Sequence, residues 1–273
     1  MLKIMSLLSK TSHKTPKPFR WQLTYLYDLL RELVLRDMKL LYKRSILGIG
    51  WTLINPLLQL AVFAFVFQAI VPVNIPDYAS YVFSGLLVWN WFQNSLFQAT
   101  GVIVNSRSLI RQPRFPVAIL PIVIVTTGLI HFVLALPVLI LFLLIDGIKL
   151  QPVIFFLPIL QLLQFILTVS FSYFLAALNV TFRDTQHTLG VLVQLFFYLT
   201  PIFYDLNSIP KEYWYIYGLN PMVHIVTAYR AILLWGIQPD WLALFIIAMI
   251  TALVLPFGYY IFKQQSHRFV EEL

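Results

Sequence analysis

Leu40-Leu-Tyr-Lys-Arg-Ser-Ile-Leu-Gly-Ile-Gly-Trp-Thr-Leu-Ile-Asn-Pro-Leu57 divides the chain into two physical regimes. Before it lies a basic, amphipathic region. Lys43 and Arg44 are the last charges before a run of 32 residues, 45–76, that carries none. Trp51 follows at the depth where an indole suits the headgroup boundary. The stretch therefore marks where a membrane begins and on which side the preceding segment is held.

Composition gives the same answer for the whole chain. Of 273 residues, 60% are hydrophobic and 11% charged, with a mean hydropathy of +0.81. A soluble domain carries about 25% charged residues. A soluble reading would leave a core without a surface, so the chain is an integral membrane protein. Cysteine is absent, which excludes disulfides, thiolate metal sites and a thiol nucleophile and leaves the redox compartment open.

Charge-free windows count the spans. Besides 45–76, no Asp, Glu, Lys or Arg occurs in 78–106, 115–145, 150–182, 185–204 or 241–262. Each window holds the roughly 20 apolar residues that cross a bilayer. Strands of a membrane barrel would alternate over about 10 residues instead. The expectation is an all-α polytopic membrane protein with six transmembrane helices at about 51–71, 80–104, 117–145, 153–178, 188–204 and 241–262.

Orientation follows from Lys and Arg. With both ends on one side, that side holds 16 of them and the other only Lys149, Lys211 and Arg230. Positive charge concentrates in the cytoplasm, so both termini are expected there. The net charge of +8 is thereby a topology signal and a basic face toward anionic headgroups rather than a nucleic-acid surface.

Residues 1–20 carry five basic side chains and no acid, and read as a cytoplasmic tail, with an organellar transit peptide as the alternative. Residues 21–46 read as an amphipathic interface helix. Leu26, Leu29, Leu30, Leu33, Val34, Met38, Leu40 and Leu41 share one face, with Leu35 an exception on the polar side. Glu32 and Arg36 have the i, i+4 spacing of an ion pair, and Asp37, out of place on the apolar face, lies within reach of Arg44. The helix is either an anchor alone or also a dock for a cytoplasmic partner.

The second span holds Asn90, Gln93, Asn94, Gln98 and Thr100 beside Trp89 and Trp91. These polar groups either bond between helices or line a path for a polar substrate. The loop 105–116, with Arg107, Arg111 and Arg114, is either a positive anchor or a lever that takes force from a partner. His131 reads as a helix–helix hydrogen bonder, since no second metal ligand lies near it in the sequence. Arg183 and Asp184 form a local cap pair or a partner contact.

The segment 205–239 is too polar and too broken for a span, yet too apolar for a solvated loop. Twelve aromatics fall between Phe196 and Trp241. The pattern predicts a pair of half-helices dipping into the outer leaflet, an outer re-entrant pair between spans five and six. Its aromatics form an interfacial belt or a surface on which sugar rings stack.

No glycine is followed by Lys, so no Walker A loop exists. No HExxH, GxSxG or paired-carboxylate pattern appears, and carboxylates are missing from the interior of the spans, where a coupled carrier needs them. A polytopic chain without chemistry to drive it implies an external motor.

The chain resembles the membrane subunit of ABC-2 type exporters, in the subgroup that exports polysaccharides such as O-antigen, capsule or teichoic acid. The resemblance runs from about residue 22 to the end. It rests on Tyr42-Lys-Arg-Ser-Ile-Leu-Gly-Ile-Gly-Trp-Thr-Leu-Ile-Asn-Pro56, Ile110-Arg-Gln-Pro-Arg-Phe-Pro116, Asn179-Val-Thr-Phe-Arg-Asp184, Tyr198-Leu-Thr-Pro-Ile-Phe-Tyr204, and Leu219-Asn-Pro-Met222 with Tyr229-Arg230. It implies a homodimer in the bacterial inner membrane with two separate ATP-binding subunits. Cofactors are none in this chain, ATP and Mg residing on the partner. It implies coupling to the ATPase through Arg107, Arg111, Arg114 and Phe115 with Glu32 and Arg36. The substrate would be an undecaprenyl-diphosphate-linked glycan sliding past Trp89, Trp91, Asn94, Tyr198, Tyr204, Tyr213, Trp214 and Tyr217. From their charge and position alone, Arg36, Lys43 and Arg44 at the inner interface would meet its diphosphate. An ABC-2 exporter of small drugs or lipids, or a secondary carrier, is the alternative.

Overall fold

Helix α3 (Tyr78–Asn105) is the axis of the molecule, and the reason lies in its composition. In water the most apolar helix occupies the core. In lipid the tails solvate apolar side chains just as well, so the helix with polar groups to satisfy is drawn inside. Twenty of the 28 residues of α3 are buried, whereas only ten of 27 are in the far more apolar α5 (Ile119–Ile145). The computed structural model describes residues 19–43, 47–71, 73–266 and 269.

Every regular element among the described residues is helical. Around α3 and α5 stand α1 (Phe19–Tyr42), α2 (Trp51–Ala64), the one-turn α4 (Arg107–Ile110), α6 (Leu157–Thr181) and α7 (Thr185–Tyr198). Two short helices, α8 (Trp214–Gly218) and α9 (Pro221–Leu233), precede α10 (Trp241–Gln265). A π-helix, Phe65–Ile70, continues α2 beyond Ala64. Along its length α3 packs on α2, α5, α6, α7 and α9, and α10 packs on α6.

Four segments are long and apolar enough to cross a membrane: Trp51–Ile70, Ile119–Ile145, Pro152–Thr181 and Trp241–Gln265. These make the chain a polytopic membrane protein. Helix α3 has the length, about 42 Å at 1.5 Å per residue, but its amides and hydroxyls lower its hydropathy. Helix α7 ends at Tyr198, short of the expected 188–204, because Thr200-Pro201 turns the chain. Its 14 residues give it about 21 Å, less than the ~30 Å hydrocarbon core.

Helix α1 lays Leu29, Leu33 and Val34, all buried, against α5, while Leu26, Leu40 and Leu41 of the same expected face stay exposed. Leu35 is exposed, as its place on the polar side requires. Arg36 turns to its neighbour Asp37, with Nη2 2.6 Å from Oδ1. Asp37 thus takes its partner from within α1, and Arg44, the expected one, lies outside the described residues, as does the tail before Phe19.

The α6–α10 seam depends on one small residue. A Cβ on Gly258 would sit 2.8 Å from the Ser170 carbonyl, a backbone atom that cannot swing aside. Rings from both helices close the seam, Tyr173 on Tyr259 and on Phe262. Gly258→Val is expected to lower the melting temperature in detergent by several degrees, since overpacking costs about 1–3 kcal/mol. Unchanged melting would mean that the helices part without loss.

Candidate functional site

At one end of α3 three of the quoted motifs meet around a single side chain. Helix α9 starts at Pro221, where a missing N–H costs nothing, and Asn220 caps it by accepting from the Met222 N–H at 3.0 Å. The Asn220 amide also donates to the Thr200 hydroxyl at 2.9 Å, binding Leu219–Met222 to Tyr198–Tyr204. Two turns on, Arg230 points into the protein and is 1% exposed. Its Nη2 donates to the carbonyls of Tyr81 at 3.1 Å and Ile202 at 2.7 Å, Nη1 donates to the Pro201 carbonyl, and Nε donates to Tyr81 at 3.3 Å. The guanidinium carbon also lies 3.5 Å from the centre of the Tyr81 ring.

A buried charge must be solvated by something. Here backbone dipoles and a ring face do it; among the described residues no carboxylate is within ion-pair distance of Arg230, and Asp205 acts on it from further off. The planar fork of arginine suits three carbonyls at once in a way an ammonium does not. Gly85 makes room for it, because a Cβ there would lie 2.7 Å from Nη2. Tyr78 and Tyr81 donate their hydroxyls to the Phe203 and Tyr204 carbonyls at 3.1 and 3.0 Å, and Phe203 stacks on Phe63 of α2. The Thr200–Tyr204 turn is thus clamped to the start of α3.

Arg230 is absent from the expected site residues. Its signal was a lone arginine in an otherwise charge-free run from Tyr213 to Pro239.

The expected path residues fall into two groups. Trp89 and Trp91 are 1% and 3% exposed, so within this protomer they are packing groups and not an open surface. Trp91 donates to the Val125 carbonyl of α5 at 3.2 Å, and Trp89 bonds Gln93 one turn on. Asn94 is exposed and lines a cavity of about 70 Å³ between α2, α3 and α5, with Asn90 and Gln98 beside it. Asn90 donates to Gln59 of α2 at 3.1 Å, and His131 Nε2 lies 3.2 Å from the Met38 sulfur of α1. The amides thus both join helices and face a polar cavity.

Tyr198, Tyr213 and Trp214 are exposed. Tyr204 donates to the Tyr198 carbonyl at 2.8 Å and lies 3.2 Å from the Tyr217 hydroxyl, so these two are held in place.

At the other end of α3, some 36 Å from Tyr81 by helical rise, lies the arginine loop. Leu109, Ile110 and Phe115 are buried and hold it down, while Arg107, Arg111 and Arg114 are exposed. Arg114 has φ of +63°, in the left-handed region that a non-glycine residue enters at a cost. Phe115, expected to touch a partner, is an internal anchor, because the Pro113–Pro116 turn folds it back. Lys43 is exposed, Glu32 half-buried, and Arg36 is held by Asp37. Arg44 lies outside the described residues, so the expected cluster of Arg36, Lys43 and Arg44 is seen only in its first two members.

The ABC-2 type transporter family model matches residues 28–234, a segment that contains both the arginine loop and the Arg230 knot. The chain is 36% identical, over 90% of its length and 95% of the relative's, to the O-antigen export system permease protein RfbA of Myxococcus xanthus. It is 31% identical to RfbA of Klebsiella pneumoniae, over 93% of this chain and 98% of that one. With the polysialic acid transport protein KpsM of Escherichia coli it shares 26% identity, over 86% and 92%. An all-helical membrane fold and a match across most of its length place the chain in the ABC-2 type transporter family.

Proposed function

We propose that the chain is the membrane half of an ATP-driven exporter that moves a lipid-linked polysaccharide out of the cytoplasm through a homodimer. The observation that carries this reading is the loop Arg107–Pro116, three exposed arginines on a turn anchored by buried Leu109, Ile110 and Phe115. A rigid, basic, solvent-facing lever is what a chain without its own nucleotide loop needs in order to receive work. The export of O-antigen and polysialic acid named for its relatives supports a glycan as cargo.

In this reading six segments cross the membrane: the four apolar ones, α3, and one in which α7, too short alone at about 21 Å, is continued by the turn 199–204. Both termini lie in the cytoplasm. Helices α8 and α9 form the re-entrant pair; α9 has 13 residues, about 20 Å, too few to span. Two ATP-binding subunits dock under α1 and the arginine loop, and ATP and Mg stay with them. Asn94, Tyr198, Tyr204, Tyr213, Trp214 and Tyr217 guide the sugars, with Trp89 and Trp91 holding α3 in place. Lys43, with Arg36 and Arg44, receives the undecaprenyl diphosphate.

Co-purification with the candidate ATPase tests the reading first. A stable complex of two copies of each chain, with ATP turnover altered by this chain, is expected. In the reconstituted complex, glutamine at all three of Arg36, Lys43 and Arg44 is expected to abolish transfer of the lipid-linked glycan. A folded chain that fails to bind the ATPase would point to a carrier, and transfer untouched by the three substitutions would remove the diphosphate assignment.

A further inference from the structure

We propose that the groove between α6, α9 and α10 binds a membrane phospholipid with a primary-amine headgroup. Two cavities of about 320 and 430 Å³ meet there and share Gly218, His224 and Ala243 as walls. The first is apolar over most of its wall but carries the polar groups of Trp214, Thr227 and Asp240. The second is apolar, with Leu167, Phe171, Ile246 and Ile250. One end takes a headgroup and the other a hydrocarbon tail.

Depth supports a tail. Asp240 precedes the first residue of α10, and Ile250 lies ten residues further. At 1.5 Å per residue that is about 15 Å, half of the ~30 Å hydrocarbon core. The groove therefore runs from the headgroup level to the midplane, the reach of one leaflet.

Charge selects the headgroup. Asp240 is the one formally charged residue among the described residues that line either cavity. Its Oδ1 caps α10 by accepting from the Leu242 and Ala243 N–H groups at 3.0 and 3.1 Å, which leaves Oδ2 to accept from an ammonium. His224 Nε2 lies 2.9 Å from the Gly218 carbonyl. A carbonyl only accepts, so Nε2 carries the hydrogen, and in the neutral ring Nδ1 is a second acceptor. An anionic lipid or a diphosphate would meet a carboxylate there with no cation beside it. The groove is thus distinct from any site for the exported lipid, and it goes beyond the export reading.

Native mass spectrometry of the full chain in detergent, without the ATPase, tests the assignment with phosphatidylethanolamine and phosphatidylglycerol as probes. The unaltered chain is expected to retain the ethanolamine lipid about tenfold more than the glycerol lipid. Asp240→Asn keeps the helix cap, since Asn caps as well as Asp, and is expected to equalise the two. Ala243→Phe is expected to displace both, at unchanged melting. Equal retention by the unaltered chain would overturn the proposal. So would preference for phosphatidylglycerol, or a preference that Asp240→Asn leaves in place. Because no ATPase or glycan is present, these outcomes are separate from those that test export.

Discussion

Arg230→Ala is expected to lower the melting temperature of the detergent-solubilised chain by roughly 10 °C, the shift that ~3–5 kcal/mol produces in a chain of this size. The Tyr81 carbonyl sits within α3 and has a helical partner in prospect, but those of Pro201 and Ile202 lie in a turn. Each is left buried and unpaired at about 1–3 kcal/mol. Contact with the Tyr81 ring is lost as well. Arg230→Lys is expected to recover little, because one ammonium cannot serve three carbonyls. Gly85→Ala should reproduce much of the loss from the other side, and the double variant should cost less than the sum. Arg230→Met separates the causes: melting as in the unaltered chain would show that side-chain volume, and not the carbonyl bonds, holds the knot.

Charge reversal of the loop, with glutamate at Arg107, Arg111 and Arg114 together, is expected to abolish ATP-driven export while lowering melting by less than a core substitution does. All three side chains are exposed, so the fold does not depend on burying them. An ATP-binding partner that meets the loop would face three reversed charges, each worth several kcal/mol when forced into contact with a like charge. Phe115→Ala should do the opposite. It is 7% exposed, and removing a buried phenylalanine costs about 3–5 kcal/mol, so melting should fall whether or not the ATPase is present. Export retained by the triple variant would mean that the loop carries no force.

Much of the architecture was legible because lipid imposes a one-dimensional rule. Charges cannot be left in the hydrocarbon, so the gaps between Lys, Arg, Asp and Glu outline the apolar helices, and Trp51 and Trp241 begin two of them. Periodicity also read correctly the buried face of α1 at Leu29 and Leu33. Leu40 and Leu41, on the same apolar face, stay exposed in the protein, since where a neighbouring helix ends is not written in the helix it covers. The length of α7 was misjudged for a related reason: a charge-free window says what lipid tolerates, not where Thr200-Pro201 turns.

The amino-acid sequence by itself determined that this chain lives in a membrane, that it is helical, and which segments are apolar enough to cross. Tertiary structure alone decided the partners of its polar groups. Arg230 finds Tyr81, 149 positions away, and Tyr78 finds the Phe203 carbonyl, 125 positions away. Trp89 and Trp91 turn inward rather than toward a path. The physical reason is range. Hydropathy is a property of each segment and sums locally, whereas a hydrogen bond at 3 Å exists only once several helices have set their rotation, depth and crossing around α3.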